Sequence, residues 1–208
     1  MARGLPGGGH DLISQPLNQP FNAAGILEVF NRHDVEYVVI GAFAAIAQKA
    51  PIPATRDIDL TPGTSGENLA RLSAAQHELG ARIRTDGVPE GLPFDHDGAS
   101  LGRARVWNLI CTHGEFDLSF FPSGFDRGYE QLALRAHRMA VSGTVVVIAD
   151  LDDVIKSKEA AGRPKDLRVL PMLYRHRQDR KDNGDACSPH GGQAQIAAPT
   201  GFEPVSPP

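Results

Sequence analysis

Cysteine is scarce in this 208-residue chain, which holds two, Cys111 and Cys187. One falls in an apolar stretch and the other in a polar tail, so neither a disulfide framework nor a zinc site is expected. Long hydrophobic runs are missing as well. No apolar stretch approaches the roughly 20 residues that a membrane-spanning helix needs. The first twenty residues carry one early arginine but no continuous apolar core of the signal-peptide kind. A cytoplasmic protein without a membrane partner is predicted. The eight histidines show no zinc-ligand spacing. The G-x-x-x-x-G-K-[ST] loop, the G-x-S-x-G elbow and a Cys-His nucleophile signature are all absent, which removes three common routes to phosphate binding or covalent catalysis.

What is present is an ordinary globular composition, 41% hydrophobic and 22% charged, enough for one domain with a core. Residues 1–20 are rich in Gly, Pro and Asn, and residues 181–208 are poor in bulky aliphatics and end in prolines, so both ends are predicted to be disordered. Between them the composition divides into a core over 21–149 and a basic helical segment over 150–180. The formal net charge is -4, yet Lys156 to Lys181 holds nine Lys or Arg against three acids, so this segment carries +6 and the remainder -10. Such a basic lobe suits a polyanion, or simply a solvated helical face.

Hydrophobic periodicity sets the order of elements. Asn22 caps a helix with Ile26, Leu27 and Phe30 on one side, and Tyr37 to Ile40 follows as a buried strand. Gly41-Ala42 turns into an alanine-rich helix that Pro51 and Pro53 stop. A second strand runs through "RDIDLTP", and a helix begins at Ser65. Residues 85–100 read as a polar loop with three glycines. Residues 103–124 read as a hairpin turning at His113-Gly114, and residues 138–149 as another turning at Ser142-Gly143. Helices are predicted over 151–161 and 164–177, with Pro171 breaking or kinking the last.

Two aspartates interrupt the second strand. Side chains two apart on a strand share a face, so Asp57 and Asp59 project together while Arg56, Ile58 and Leu60 point the other way. Two carboxylates in one small volume repel unless a divalent cation neutralises them, and hard oxygen ligands suit Mg²⁺ or Mn²⁺. Asp117, alternating with Phe116 and Leu118 in the first hairpin, completes a three-carboxylate set if its strand lies beside the pair. Upstream, the buried strand ending at Gly41-Ala42 and opening into a helix presents backbone N–H groups to an anion.

These residues resemble the nucleotidyltransferase superfamily with the polymerase-beta-like fold, whose pattern is a Gly-Gly or Gly-Ser turn, then h-D-h-D-h on the next strand and a third carboxylate later. The departure is Ala42, where the family usually has Gly or Ser. "YVVIGAFAAIAQKAPIPATRDIDLTP" together with "LDDVIKSKEAAGRPKDLRVLPML" is most similar to the AbiEii and MenT-type nucleotidyltransferase toxins of type IV toxin–antitoxin systems. The resemblance implies an α/β (α+β) minimal nucleotidyltransferase fold, a mixed twisted sheet flanked by helices with a C-terminal helical segment. It further implies an enzyme that moves NMP from an NTP to RNA, notably the tRNA 3' end, with Mg²⁺ or Mn²⁺ on Asp57, Asp59 and Asp117, and with a cognate antitoxin as partner.

The resemblance also bears on the basic segment. Lys158 falls on the apolar stripe of Leu151, Val154 and Ile155 while Lys156 points away. A snorkelling lysine explains this by itself; the family instead puts a functional lysine here, to hold triphosphate oxygens. Its R-x-x-D element corresponds to Arg163 and Asp166, where the plainer reading makes Asp166 a helix-end carboxylate paired with Arg163 and Lys165. The catalytic set expected is thus Asp57, Asp59, Asp117, Lys158 and Asp166. The nucleotide contacts expected are Gly41, Ala42, Thr55, Arg56, Lys158 and Arg163. Transfer to a protein or small molecule, or a non-catalytic module that binds nucleotide or a partner, are the alternatives.

Overall fold

The computed structural model describes residues 21–182. The elements run α1 Ala23–Arg32, β1 Tyr37–Ile40, α2 Gly41–Ala47, β2 Asp57–Pro62, α3 Gly66–Leu79, β3 Arg82–Thr85 and β4 Val88–Leu92. They continue with α4 Gly98–Leu101, β5 Val106–Cys111, β6 Gly114–Ser119, α5 Tyr129–Leu132, β7 His137–Val141, β8 Thr144–Ile148, α6 Leu151–Ala161 and α7 Pro164–Asp182. The eight strands form one mixed sheet in the order β4-β3-β5-β6-β2-β1-β8-β7. This is the mixed α/β architecture with a C-terminal helical segment that the sequence predicts.

Local chemistry starts and stops the helices as expected. The Asn22 side chain accepts from the Gly25 N–H, Ser65 accepts from Asn68, and Gly80 and Gly162 close α3 and α6 in the left-handed conformation. One face of the sheet packs against α1 and α3. Ile58 and Leu60 of β2, Phe116 and Leu118 of β6 and Leu109 of β5 are fully buried together with Ile26, Leu27 and Phe30 of α1 and Leu72 of α3. Phe30 meets Phe116 edge to face at 6.3 Å between centroids. On the opposite face α2 and α6 pack together, and α7 lies against α6.

The neighbour relation that matters most lies at the centre. β2 runs parallel to β6 with Asp57 opposite Glu115 and Asp59 opposite Asp117. β1, which ends at Ile40 just before Gly41, is antiparallel to β2 and pairs Ile40 with Asp59. The strand bearing Asp117 therefore does lie beside the aspartate pair.

Two expectations need correction. Residues 85–100 contain β4 and α4, and β4 pairs with β3 as a hairpin on the sheet edge. Asp86-Gly87, with Gly87 at φ +81°, supplies the turn, a strong hairpin signal hidden by Pro89 and Gly91. Proline is tolerated because β4 is an edge strand. Likewise α7 continues through Pro171 to Asp182. Pro171 and Leu167 are both on the exposed side, where water can serve the carbonyl that proline leaves without its helical donor. The segments predicted to be disordered, 1–20 and beyond 182, lie outside the described residues.

Candidate active site

A cleft of about 460 Å³ opens between the Asp57–Asp59 side of the sheet and helices α6 and α7. Gly41, Ala42, Thr55, Asp57, Asp59, Asp117, Lys158, Arg163 and Asp166 all line it. Of the site residues expected from sequence, Arg56 alone is not among its walls; it is exposed just before β2 begins. The cleft also takes in Asn108, Ser119, Phe121 and Lys165, none of which the sequence reading placed in a site.

Gly41 is needed here twice over. Its φ of +75° favours glycine, and a Cβ at this position would stand 2.0 Å from Oδ2 of Asp59. The Asp59 carboxylate thus occupies the space that the missing side chain leaves, directly over the start of α2. Burial, with added repulsion from Asp57 and then Asp117, pushes Asp59 up to about 7. Its neighbour Asp57 accepts a hydrogen bond from the Thr55 hydroxyl, which fixes its orientation.

Asp117, expected as the third ligand, has Oδ1 held by Nη2 of Arg84 at 2.8 Å. The same guanidinium bonds Glu115. Burial raises Asp117 above the usual carboxylate range in spite of the Arg84 charge beside it. For Arg84 burial acts downward, but the charges of Asp117 and Glu115 outweigh it and the guanidinium is held more firmly protonated. Arg84 escaped the sequence reading, although "RIRT" alternates about a half-buried Ile83 and is followed by Asp86-Gly87, which is the signature of a hairpin strand.

Among the described residues no group of three His, Cys, Asp or Glu side chains is arranged to hold a metal ion. The donor set nevertheless suits a divalent cation at two ligands: Asp57 and Asp59 project from one face into the cleft, and their hard carboxylate oxygens lie close enough to repel one another.

The far wall comes from α6 and α7. Asp166 is 1% exposed, with Oδ1 accepting from Nζ of Lys158 at 3.0 Å and Oδ2 from Nε of Arg163 at 2.6 Å. Burial would raise this carboxyl, but the hydrogen bonds from Arg163 and Lys158 prevail and keep it below its ordinary range. With both oxygens engaged, Asp166 holds two cations in place at the cleft. Lys158 supplies the buried contact, as its place on the apolar stripe suggests, while Lys156 points away and sits 4.5 Å over the ring of Phe125. Lys165 is not a partner of Asp166; it reaches the cleft instead.

No family model matches the chain, and no curated protein matches it. Solved structures do. A candidate nucleotidyltransferase from Thermotoga maritima is 14% identical over 73% of this chain and 89% of its own, with a TM-score of 0.45. The ANT(2")-Ia protein, solved with adenylyl-2"-tobramycin, is 15% identical over 76% and 89%, with a TM-score of 0.46. The lincosamide antibiotic adenylyltransferase LnuA, bound to lincomycin, is 12% identical over 72% and 92%, with a TM-score of 0.47.

Proposed function

We propose that this chain is a metal-dependent nucleotidyltransferase that moves NMP from an NTP to a hydroxyl of RNA, the tRNA 3' end in particular, and that it acts as the toxin of a toxin–antitoxin pair. The reading rests on one observation: Asp57 and Asp59 share a face of β2, level with Asp117 on β6, in the cleft that Gly41, Lys158 and Arg163 also line.

Asp57 and Asp59 would hold Mg²⁺ or Mn²⁺. Bound there, such a cation would supply Lewis-acid stabilisation of charge on the reacting phosphoryl group. The chain does the rest. Gly41, lacking a side chain, lets the backbone of Gly41 and Ala42 come close to the phosphates, and Thr55 keeps Asp57 aimed. Lys158 and Arg163, steadied by Asp166, receive the triphosphate tail and the charge on departing pyrophosphate. Asp117 takes the acceptor's proton on the oxygen that Arg84 leaves free. The acceptor oxygen then bonds to the α-phosphorus as the bond to the bridging oxygen breaks, and pyrophosphate leaves with the electron pair.

RNA is favoured as acceptor by the cations that lead out of the cleft. Lys165 lines it, and Arg168 and Arg175 follow along the exposed side of α7, none in an ion pair among the described residues. A row of free cations beginning at the reacting groups fits a phosphate backbone. The test is incubation of the full chain with Mg²⁺, each α-labelled NTP and, in separate reactions, total tRNA, protein and small hydroxylated acceptors. Label in tRNA supports the reading. Label in another acceptor alone moves the function to that acceptor, and nucleotide binding without transfer to any of them makes the chain a binding module.

A further inference from the structure

Arg84 stands in a row of side chains that crosses four strands. β3 pairs with β5 so that Ile83 faces Leu109, which sets Arg84 beside Asn108. Asn108 is opposite Asp117, and Asp117 opposite Asp59. From the outer strand of this row the guanidinium reaches past Asn108 to bond Asp117 and Glu115. It brings a fixed positive charge into the acidic end of the cleft, at the carboxylate that would otherwise be free to join Asp57 and Asp59.

Resting on the nucleotidyltransferase reading above, we propose that Arg84 takes the place of a second cation, so that the cleft accepts one divalent ion, held by Asp57 and Asp59. Three features lead there. The Arg84 nitrogen is 2.8 Å from Oδ1 of Asp117, the distance of a charge-assisted hydrogen bond. A metal ion sharing Asp117 with this guanidinium would place two positive charges on either side of a single carboxylate. Finally, the three aspartates are not gathered into a ligand set although the sheet register puts them side by side. Glu115 matters as well, because its bond to the other nitrogen of the same guanidinium gives Arg84 a second anchor on β6. The delocalised charge of arginine then serves as the fixed counter-charge on the acceptor side, a task a hydrated lysine ammonium performs less well. Arg84 is on this account a positioning residue, acting through Asp117.

The experiment is a Mn²⁺ titration of the full chain, reading free Mn²⁺ by electron paramagnetic resonance. Wild type is expected to bind one ion per chain, Arg84→Lys one, Arg84→Met two, and Asp59→Asn none. Asp117→Asn should still bind one, a comparison that stands even if Arg84→Met does not fold. The inference is overturned by two ions in wild type, by one ion in a folded Arg84→Met, or by an ion lost in Asp117→Asn. A wild type that binds one ion yet transfers no nucleotide to any acceptor defeats the proposed activity and leaves the ion count standing.

Discussion

Asp59 carries the largest electrostatic penalty in the cleft, and that penalty has measurable consequences. Its carboxyl is raised from 3.8 to about 7, so the folded chain binds more protons than the unfolded one between those limits and loses stability as pH rises through them. Asp59→Asn removes the buried charge. It should melt higher than metal-free wild type at pH 8, by a margin that shrinks towards pH 4, while transfer falls by at least about 10²-fold. A melting temperature below wild type at pH 8 would show that the carboxylate is neutralised from within. Gly41→Ala is the steric counterpart. The new methyl would stand 2.0 Å from Asp59 Oδ2 at a φ of +75°, so the variant should lose more than about 1 kcal/mol in denaturant unfolding and bind Mn²⁺ more weakly.

At the scale of elements, the cleft depends on α6 and α7 keeping their place against the sheet. Asp166 fastens one end by bonding Lys158 of α6 and Arg163 in the connection. Since its folded-state pKa is lowered, the stabilisation is present above the unfolded value near 4 and is lost as pH falls through the folded value. Asp166→Asn should therefore cost about 3 kcal/mol at pH 7, and the difference from wild type should close in acid. Gln48 fastens the other end. Its side-chain amide donates to the carbonyls of Ala44 and Ala149, and its carbonyl oxygen accepts from Arg180 of α7. Gln48→Ala leaves the Ala149 carbonyl without that donor and should cost about 2 kcal/mol, with hydrogen exchange in α7 rising most. Most of these elements were legible in the sequence because each carries a local signal: the alternation about Ile58, the caps Asn22 and Ser65, the Gly162 stop. The β3–β4 hairpin was not, since "VPEGL" at a sheet edge has Val88 as its one β-branched residue and lacks the apolar alternation of a half-buried strand.

At the scale of the whole molecule, the sequence singled out residues that the fold gathers in one cleft, but did not show how they are partnered. The D-x-D spacing places Asp57 and Asp59 on one face from strand geometry alone, whereas the bond between Arg84 and Asp117 joins residues 33 positions apart and follows only from the pairing of β3, β5 and β6. The charge asymmetry was equally visible as a count, and the fold turns it into a direction, from Lys165 in the cleft outward along α7. Reversing Arg168 and Arg175 to Glu should weaken tRNA binding and flatten its salt dependence by about two phosphate contacts, measured as the slope of log K against log salt. An unchanged slope would take α7 out of the RNA-binding surface. The central claim is that the Asp57–Asp59 pair performs nucleotidyl transfer, and the most direct measurement compares wild type with Asp57→Ala in Mg²⁺, α-labelled NTP and total tRNA on a denaturing gel. Label in tRNA is expected with wild type, none with Asp57→Ala and none after chelation, both proteins being folded by circular dichroism; equal labelling by the two proteins would contradict a role for the pair in transfer.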